Sequence, residues 1–332
     1  MTSSNIKLSI IIPLYNVENY IKRCLSSIFI QNDVQDYIEV IIVDDGSPDE
    51  SYNVAAELII NHSNSKIISQ VNKGLGGARN TGLKNSSGKY VWFVDSDDEI
   101  AQYSIKNIIT HLELKSDIFI YDYELVNKEA NKVNLYHSVI INENGYEISK
   151  KFLAILAWIQ IYNRDFLIKN GIEYQEHFFH EDVDFSMKTM FLAQNVSYFD
   201  TVIYRYHVDN DQSIMKNIGI KNVKDLLKLR ETKEALVLKY NLSKNDIACI
   251  DSHLNTSFVG ILADASFMID KDKSLYLKLI HDNISYILKQ INTSSKFRFK
   301  IYGYLFCLNS MFVYIIWNKL ELVIKRIVKR WF

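Results

Sequence analysis

Three cysteines, two prolines and a formal charge of −1 are spread over 332 residues, and each scarcity narrows the possibilities. Cys24, Cys249 and Cys307 are far apart and odd in number, which argues against a disulfide scaffold and for a reducing cytoplasm. With 38 basic and 39 acidic residues the chain exerts no global pull on nucleic acid, and none is expected as a partner. So few prolines point to long uninterrupted elements. No internal repeat or low-complexity linker is visible. Residues 1–7 are polar and run straight into an apolar segment, so no secretory signal is expected. A hydrophobic content of 48% allows one α/β domain of ordinary size plus an appended region.

Against this background the tetrad Asp95-Ser96-Asp97-Asp98 stands out, directly after the apolar run Tyr90-Val91-Trp92-Phe93-Val94. Carboxylates so crowded at a strand end are unfavourable unless a cation or hydrogen-bond donors compensate. Hard oxygen ligands at this density suit Mg²⁺ or Mn²⁺. A solvated acidic turn is the competing reading. A second acidic strand end weakens it: Val40-Ile41-Ile42-Val43 is followed by Asp44-Asp45-Gly46-Ser47. A third strand, Leu8 to Ile12, is expected to stop at Pro13. Helical spacing is expected over Val17–Ile30 and Ser51–Ile60. Strands alternating with helices imply βαβ units and a parallel sheet, with ligands at the carboxyl ends of the strands. Both acidic loops fall on that edge. Of the neighbouring acids Asp44 is the better turn former or helix cap, which leaves Asp45 as the ligand candidate.

Between Ile68 and Tyr90 lies Asn72-Lys73-Gly74-Leu75-Gly76-Gly77-Ala78-Arg79-Asn80-Thr81-Gly82. Glycines and the start of a helix attract phosphate, although the P-loop spacing is absent. Arg79 is read either as a surface helix cation or as a group that stacks on a base or pairs with a diphosphate. Further on, His180-Glu181-Asp182-Val183-Asp184-Phe185 opens a helix expected to run to Ala193. Its acids suit a helix N-terminus, and one of them has the sequence order to reach the sheet edge.

Together these segments resemble the family 2 glycosyltransferases of the GT-A fold. The resemblance rests on Ser9 through Asn16, Val43-Asp44-Asp45-Gly46-Ser47, Asn72 through Leu83 and the acidic tetrad, and covers residues 6–215. It implies an α/β fold with a GT-A type, mostly parallel nucleotide-binding sheet flanked by helices, followed by an α-helical C-terminal region. It also implies that Pro13 and Tyr15 frame a nucleobase and that Asp45 accepts the imide hydrogen of uracil. Asn72, Gly74, Arg79 and Ser96 belong to the same donor site, and Asp95 lies near the ribose. Asp97 would hold a divalent Mn²⁺ or Mg²⁺ ion, with Asp98 as a further candidate. Asp182 would be the general base that takes the acceptor proton, with Glu181 positioning it. Trp158 is expected to pack in the core. Many members carry Arg where this chain has His207, so His207 is a candidate for metal or phosphate, and His180 a lesser one.

The implied activity is inverting transfer of a sugar from a nucleotide donor, expected to be a UDP-sugar, to a hydroxyl of a glycan or lipid-linked acceptor in cell-surface polysaccharide synthesis. Two rivals stay open: a catalytically silent sugar-nucleotide-binding or membrane scaffold, and a receiver-type signalling domain. The expected organisation is a catalytic domain at 1–218, with a nucleotide half at 1–100 and an acceptor half at 101–218. A helical region at 219–295 and a basic amphipathic tail at 296–332 follow. The tail's apolar stretch of about 17 residues is at the lower limit for a membrane span. Its basic residues at helical spacing suit an anionic lipid surface on the cytoplasmic side of the membrane. The helical region leaves room for a homo-oligomer.

Overall fold

The computed structural model describes residues 6–127, 132–136, 156–208 and 219–244, with shorter pieces at 246–248, 250–251, 254, 273–283 and 285–287. The chain divides into two compact units, Met1–Asp211 and Gln212–Phe332. The first holds one mixed sheet. Its parallel half comprises β1 (Leu8–Leu14), β2 (Ile38–Asp44), β3 (Ser65–Ser69) and β4 (Tyr90–Phe93), in spatial order β3-β2-β1-β4. Every neighbouring pair in this half is parallel. Near-continuous Ile and Val runs make that arrangement possible, because helices cover both faces of such strands. β1 and β2 are buried at all their positions.

The second half continues from β4 through β8 (Gln160–Asn163), β6 (Ile118–Asn127), β9 (Val196–His207) and the short β5 (Glu99–Ile100), and β7 (Lys132–Tyr136) pairs with β6. Here β8 runs antiparallel to β4 and β6, β5 runs antiparallel to β9, and β6 pairs β9 in parallel. The short β5 takes the acidic turn from the end of β4 over to β9.

Pro13 does not end β1 as expected; the strand continues to Leu14. The ladder to β4 stops at the Ile11–Phe93 rung, while the pairing with β2 continues to Leu14–Asp44. The missing N–H therefore falls where one flank of the strand has no partner. Helix α1 (Ile21–Phe29) buries Ile21, Cys24, Leu25, Ile28 and Phe29, the face expected from the spacing. α2 (Ser51–Ile59) follows β2, and α3 (Gly74–Lys84) packs directly on β1. A Cβ added at Gly82 would lie 2.2 Å from Cγ2 of Ile11, so only glycine lets the helix come so close.

Further along come α4 (Ser104–His111), α5 (Arg164–Lys169) and α6 (Glu181–Leu192). The core between the sheet and α6 is aromatic: Phe185 stacks on Tyr174 with centroids 3.8 Å apart and meets Phe93 edge-on at 6.0 Å. Trp158 is also core, stacked on Tyr204 at 4.4 Å and on Tyr206 at 5.4 Å. In the second unit α7 spans Ile220–Tyr240 and α8 spans Lys273–Asp282. Among the described residues no helix is long and apolar enough to cross a membrane. The basic tail at 296–332 lies outside the described residues.

Candidate active site

The acidic turn is held by donors from three directions. Asp98 is buried and faces inward: Tyr204 donates its hydroxyl to Oδ2 at 2.8 Å, and the His207 amide donates to Oδ1 at 2.7 Å. Burial, and then the charges of Asp97 and Asp95, push its pKa well above the usual carboxylate range. These two bonds brace the turn. The Tyr204 hydroxyl also accepts from the Asp95 amide at 3.2 Å. From α1, the Arg23 guanidinium donates to the carbonyl of Asp97 and the Cys24 thiol donates to that of Asp95. His207 is buried with Nε2 2.5 Å from Glu99, and this bond holds the Glu99 carboxyl below its ordinary range. Its Nδ1 is buried and meets no hydrogen-bond partner among the described residues.

Arg79 is the main departure from expectation. It is 2% exposed, neither a surface cation nor a group open to a nucleobase. Nη2 donates to Asp95 at 2.8 Å and Nη1 donates to Glu181 at 2.9 Å, while the guanidinium carbon lies 5.1 Å from the centre of the Tyr174 ring. Burial opposes the charge on Arg79, but Asp95, Tyr174 and Glu181 outweigh it and hold its pKa above the ordinary value. One cation from α3 thus ties the end of β4 to the start of α6. Nothing in the local sequence marks this; a planar fork with two donor edges suits it where lysine would not.

Glu181 is the first residue of α6 and Asp182 the second. His180, just before them, has φ 66°, and His177 has φ 52°, both in the left-handed region that non-glycine residues seldom occupy. The Asp182 carboxylate accepts from the Val183 amide at 2.8 Å. Burial and the Glu181 charge push its pKa up to about 7, against the downward pull of Arg79. Burial likewise raises Glu181, with Arg79 opposing. A carboxyl near neutrality is suited to exchange a proton at physiological pH.

On the other side, Asp45 follows β2 and is 2% exposed. Its Oδ1 accepts from Gln70 Nε2 at 2.7 Å and from the Lys73 amide at 2.8 Å. Asp44 accepts instead from the Ser47 amide at 3.0 Å, the turn-forming role expected of it. Tyr15, just beyond the end of β1, is 49% exposed, and Pro13 is buried within the strand.

The glycine-rich segment is largely packing. Gly74 has φ +77°, and its amide donates to the Asn72 side chain at 3.2 Å. A Cβ at Gly76 would lie 2.4 Å from the Gln175 carbonyl oxygen. Asn80 clamps that same covering segment by exchanging hydrogen bonds with both the carbonyl and the amide of Tyr174, at 2.8 and 2.9 Å. The start of α3 is therefore covered by residues 174–177 and does not form an open phosphate cradle. Asn80, Thr81 and Gln70 were not singled out from the sequence. The available signal was a polar run, Arg79-Asn80-Thr81, between residues that must be buried.

Among the described residues no three His, Cys, Asp or Glu side chains converge as a metal cage. Within the tetrad Asp97, which is half-buried, is the ligand candidate that the family resemblance names. That set fits an ion such as Mg²⁺, which takes one or two protein carboxylates together with substrate phosphate oxygens and waters. It would not hold a structural ion that needs four protein ligands.

A parallel half with acids at its strand ends, together with a helix that opens on buried Glu181 and half-buried Asp182, is the arrangement of a GT-A type glycosyltransferase fold. The profile described as Glycosyl transferase family 2 matches residues 9–171. Putative glycosyltransferase EpsH of Bacillus subtilis is 30% identical over 246 residues, 70% of this chain and 70% of that protein. Glycosyltransferase GlyA of Streptococcus pneumoniae is 34% identical over 216 residues, 61% of this chain but only 30% of that longer protein. The crystal structure of Staphylococcus aureus TarS 1–349 in complex with UDP-GlcNAc superposes with a TM-score of 0.68, covering 94% of this chain and 89% of that one at 22% identity, a likeness of fold. The chain belongs to glycosyl transferase family 2.

Proposed function

We propose that this enzyme transfers a sugar from a nucleotide donor, a UDP-sugar, to a hydroxyl of a cell-surface glycan or lipid-linked acceptor, with inversion at the anomeric carbon. The observation that carries the reading is the Arg79 bridge. It joins Asp95, on the donor edge of the sheet, to Glu181, the neighbour of the acid whose pKa stands at about 7. In this reading Asp182 removes the acceptor proton as the oxygen attacks from the face opposite the diphosphate. Glu181, held by Arg79, keeps a negative charge beside Asp182 and raises its basicity. A positioned base of this kind contributes about 10²–10⁴-fold.

The Tyr15 ring would stack on the base, and Asp45 would accept its imide hydrogen. Asp97 would hold a divalent ion together with the donor's phosphates; bound there, the ion would offset the charge that develops on the departing diphosphate. The UDP-GlcNAc complex of the TarS structure supports the choice of donor class. The basic, apolar composition of 296–332 supports attachment to an anionic membrane surface on the cytoplasmic side, where a lipid-linked acceptor would be met.

A panel of UDP-, GDP- and dTDP-sugars with Mn²⁺ or Mg²⁺ tests this reading, with the anomeric configuration of the product read by NMR. Inversion with a UDP-sugar is expected. Retention of configuration would overturn the role of Asp182.

A further inference from the structure

The bonds around Asp45 run further than the pocket itself. Every hydrogen bond to its carboxylate among the described residues ends on Oδ1, from Gln70 Nε2 and the Lys73 amide. Gln70 is itself locked. Its Oε1 accepts from the Thr81 hydroxyl at 2.5 Å, and its backbone amide donates to the carbonyl of Asp44 at 2.9 Å. The Asp45 amide in turn donates to the carbonyl of Leu14 at 2.9 Å. The carboxylate of Asp45, which can only accept, sets which way the Gln70 amide faces, and the Thr81 hydroxyl, by donating to the amide oxygen, tethers it in that orientation. Reversed, the amide oxygen would face the carboxylate and the bond would become a repulsion.

We infer that Gln70, tethered by Thr81, is a positioning residue for nucleobase selection. By holding Oδ1 of Asp45 inside the protein it fixes the direction of Oδ2, the oxygen through which the carboxylate would meet the base as an acceptor. A base with an N–H at the matching ring position, such as uracil, is bound. A base with a bare ring nitrogen there, such as cytosine, meets an acceptor with an acceptor and is refused. The inference rests on the reading that Asp45 meets the nucleobase, and it assigns the selectivity to a three-residue relay instead of to Asp45 alone. Thr81 lies in α3, two residues beyond Arg79, so the same helix serves both halves of the site.

Isothermal titration with UDP and with CDP, each in the presence of Mn²⁺, tests this on the wild type and on Gln70→Ala, Thr81→Val and Asp45→Asn. Melting temperatures are recorded alongside. The wild type should prefer UDP, and Gln70→Ala and Thr81→Val should each reduce the UDP-to-CDP affinity ratio about tenfold, the scale of one hydrogen bond to a charged group. If both nucleotides weaken in parallel and the ratio stands, Gln70 and Thr81 are merely structural and the inference falls. If Asp45→Asn removes the preference while neither relay variant does, the inference alone falls and the reading of Asp45 survives. A wild type that does not prefer UDP, or binds neither nucleotide, overturns both. Thr81→Val is near-isosteric, so it remains a valid test even if Gln70→Ala fails to fold.

Discussion

Replacing Arg79 with methionine would remove the charge while keeping much of the side-chain volume, which isolates the role of the bridge. Two carboxylates lose their partner: Glu181, whose side chain is 11% exposed, and Asp95, at 24%. Removing one member of a buried ion pair destabilises by about 3–5 kcal/mol, because the charge left behind is uncompensated. Asp95 can take up some water, so the lower end applies here. For a unit of this size that corresponds to a fall in Tm of about 6–12 °C.

The pH profile is the more specific readout. Arg79 is the neighbour that pulls the Asp182 pKa down, against burial and Glu181. Without it the two acids share a proton over a wider range, and full ionisation of the pair moves to higher pH. The acid limb of kcat/KM, expected near 7 in the wild type, should therefore climb. Arg79→Lys restores the charge without the two-edged fork and should recover part of the stability with less of the profile. A methionine variant that keeps the wild-type Tm within 1 °C and an unmoved limb would refute the reasoning.

Three further outcomes are expected. Asp182→Asn should abolish turnover yet stabilise the protein at neutral pH. The Asp182 pKa is raised on folding, so the folded state binds more protons, and stability is lost as pH rises from about 4 toward 7; the gain in Tm should be clear at pH 7.5 and shrink toward pH 5, as thermal melts at several pH values would show. Asp97→Asn should remove metal-dependent turnover and leave Tm unchanged; calorimetry with UDP and Mn²⁺ should show the loss of metal-dependent affinity. Glu39→Gln should lower Tm with little change in kcat. At the opposite end of the sheet its carboxylate accepts from Ser9 Oγ at 2.6 Å and from the Ser87 hydroxyl at 3.0 Å, and these donors outweigh burial to hold its pKa low. That contribution is present above about pH 4.3, the unfolded carboxyl's value, and is lost as pH falls through the lowered one, so the variant's melting curve should lie closer to the wild type's in acid.

The gross architecture was legible because it depends on periodicity and strand ends. The Ile and Val runs of β1 and β2, the amphipathic face of α1 and the acids after β2 and β4 are all local features, and local features survive translation into structure. Asp44 and Asp45 could even be told apart, since a turn former bonds within its own loop.

What the chain alone could not reveal was the partner of each polar group. Arg79 looked like a donor ligand because its pairing acids lie 16 and 102 residues away, at positions that no local rule connects. Asp98, read as a further metal candidate, also accepts from Tyr204 and His207, more than a hundred residues on. The glycines of α3 resembled a phosphate loop, whereas the fold uses them to bring the helix against Ile11 and the 174–177 segment. The sequence determined which elements form and which edge gathers the acids, because hydrophobic burial follows a repeat only a few residues long. Tertiary structure alone decided which acid bonds within its own loop, which faces a cation and which is held near neutrality. A carboxylate's charge state is set by the groups folded around it and by the water they exclude.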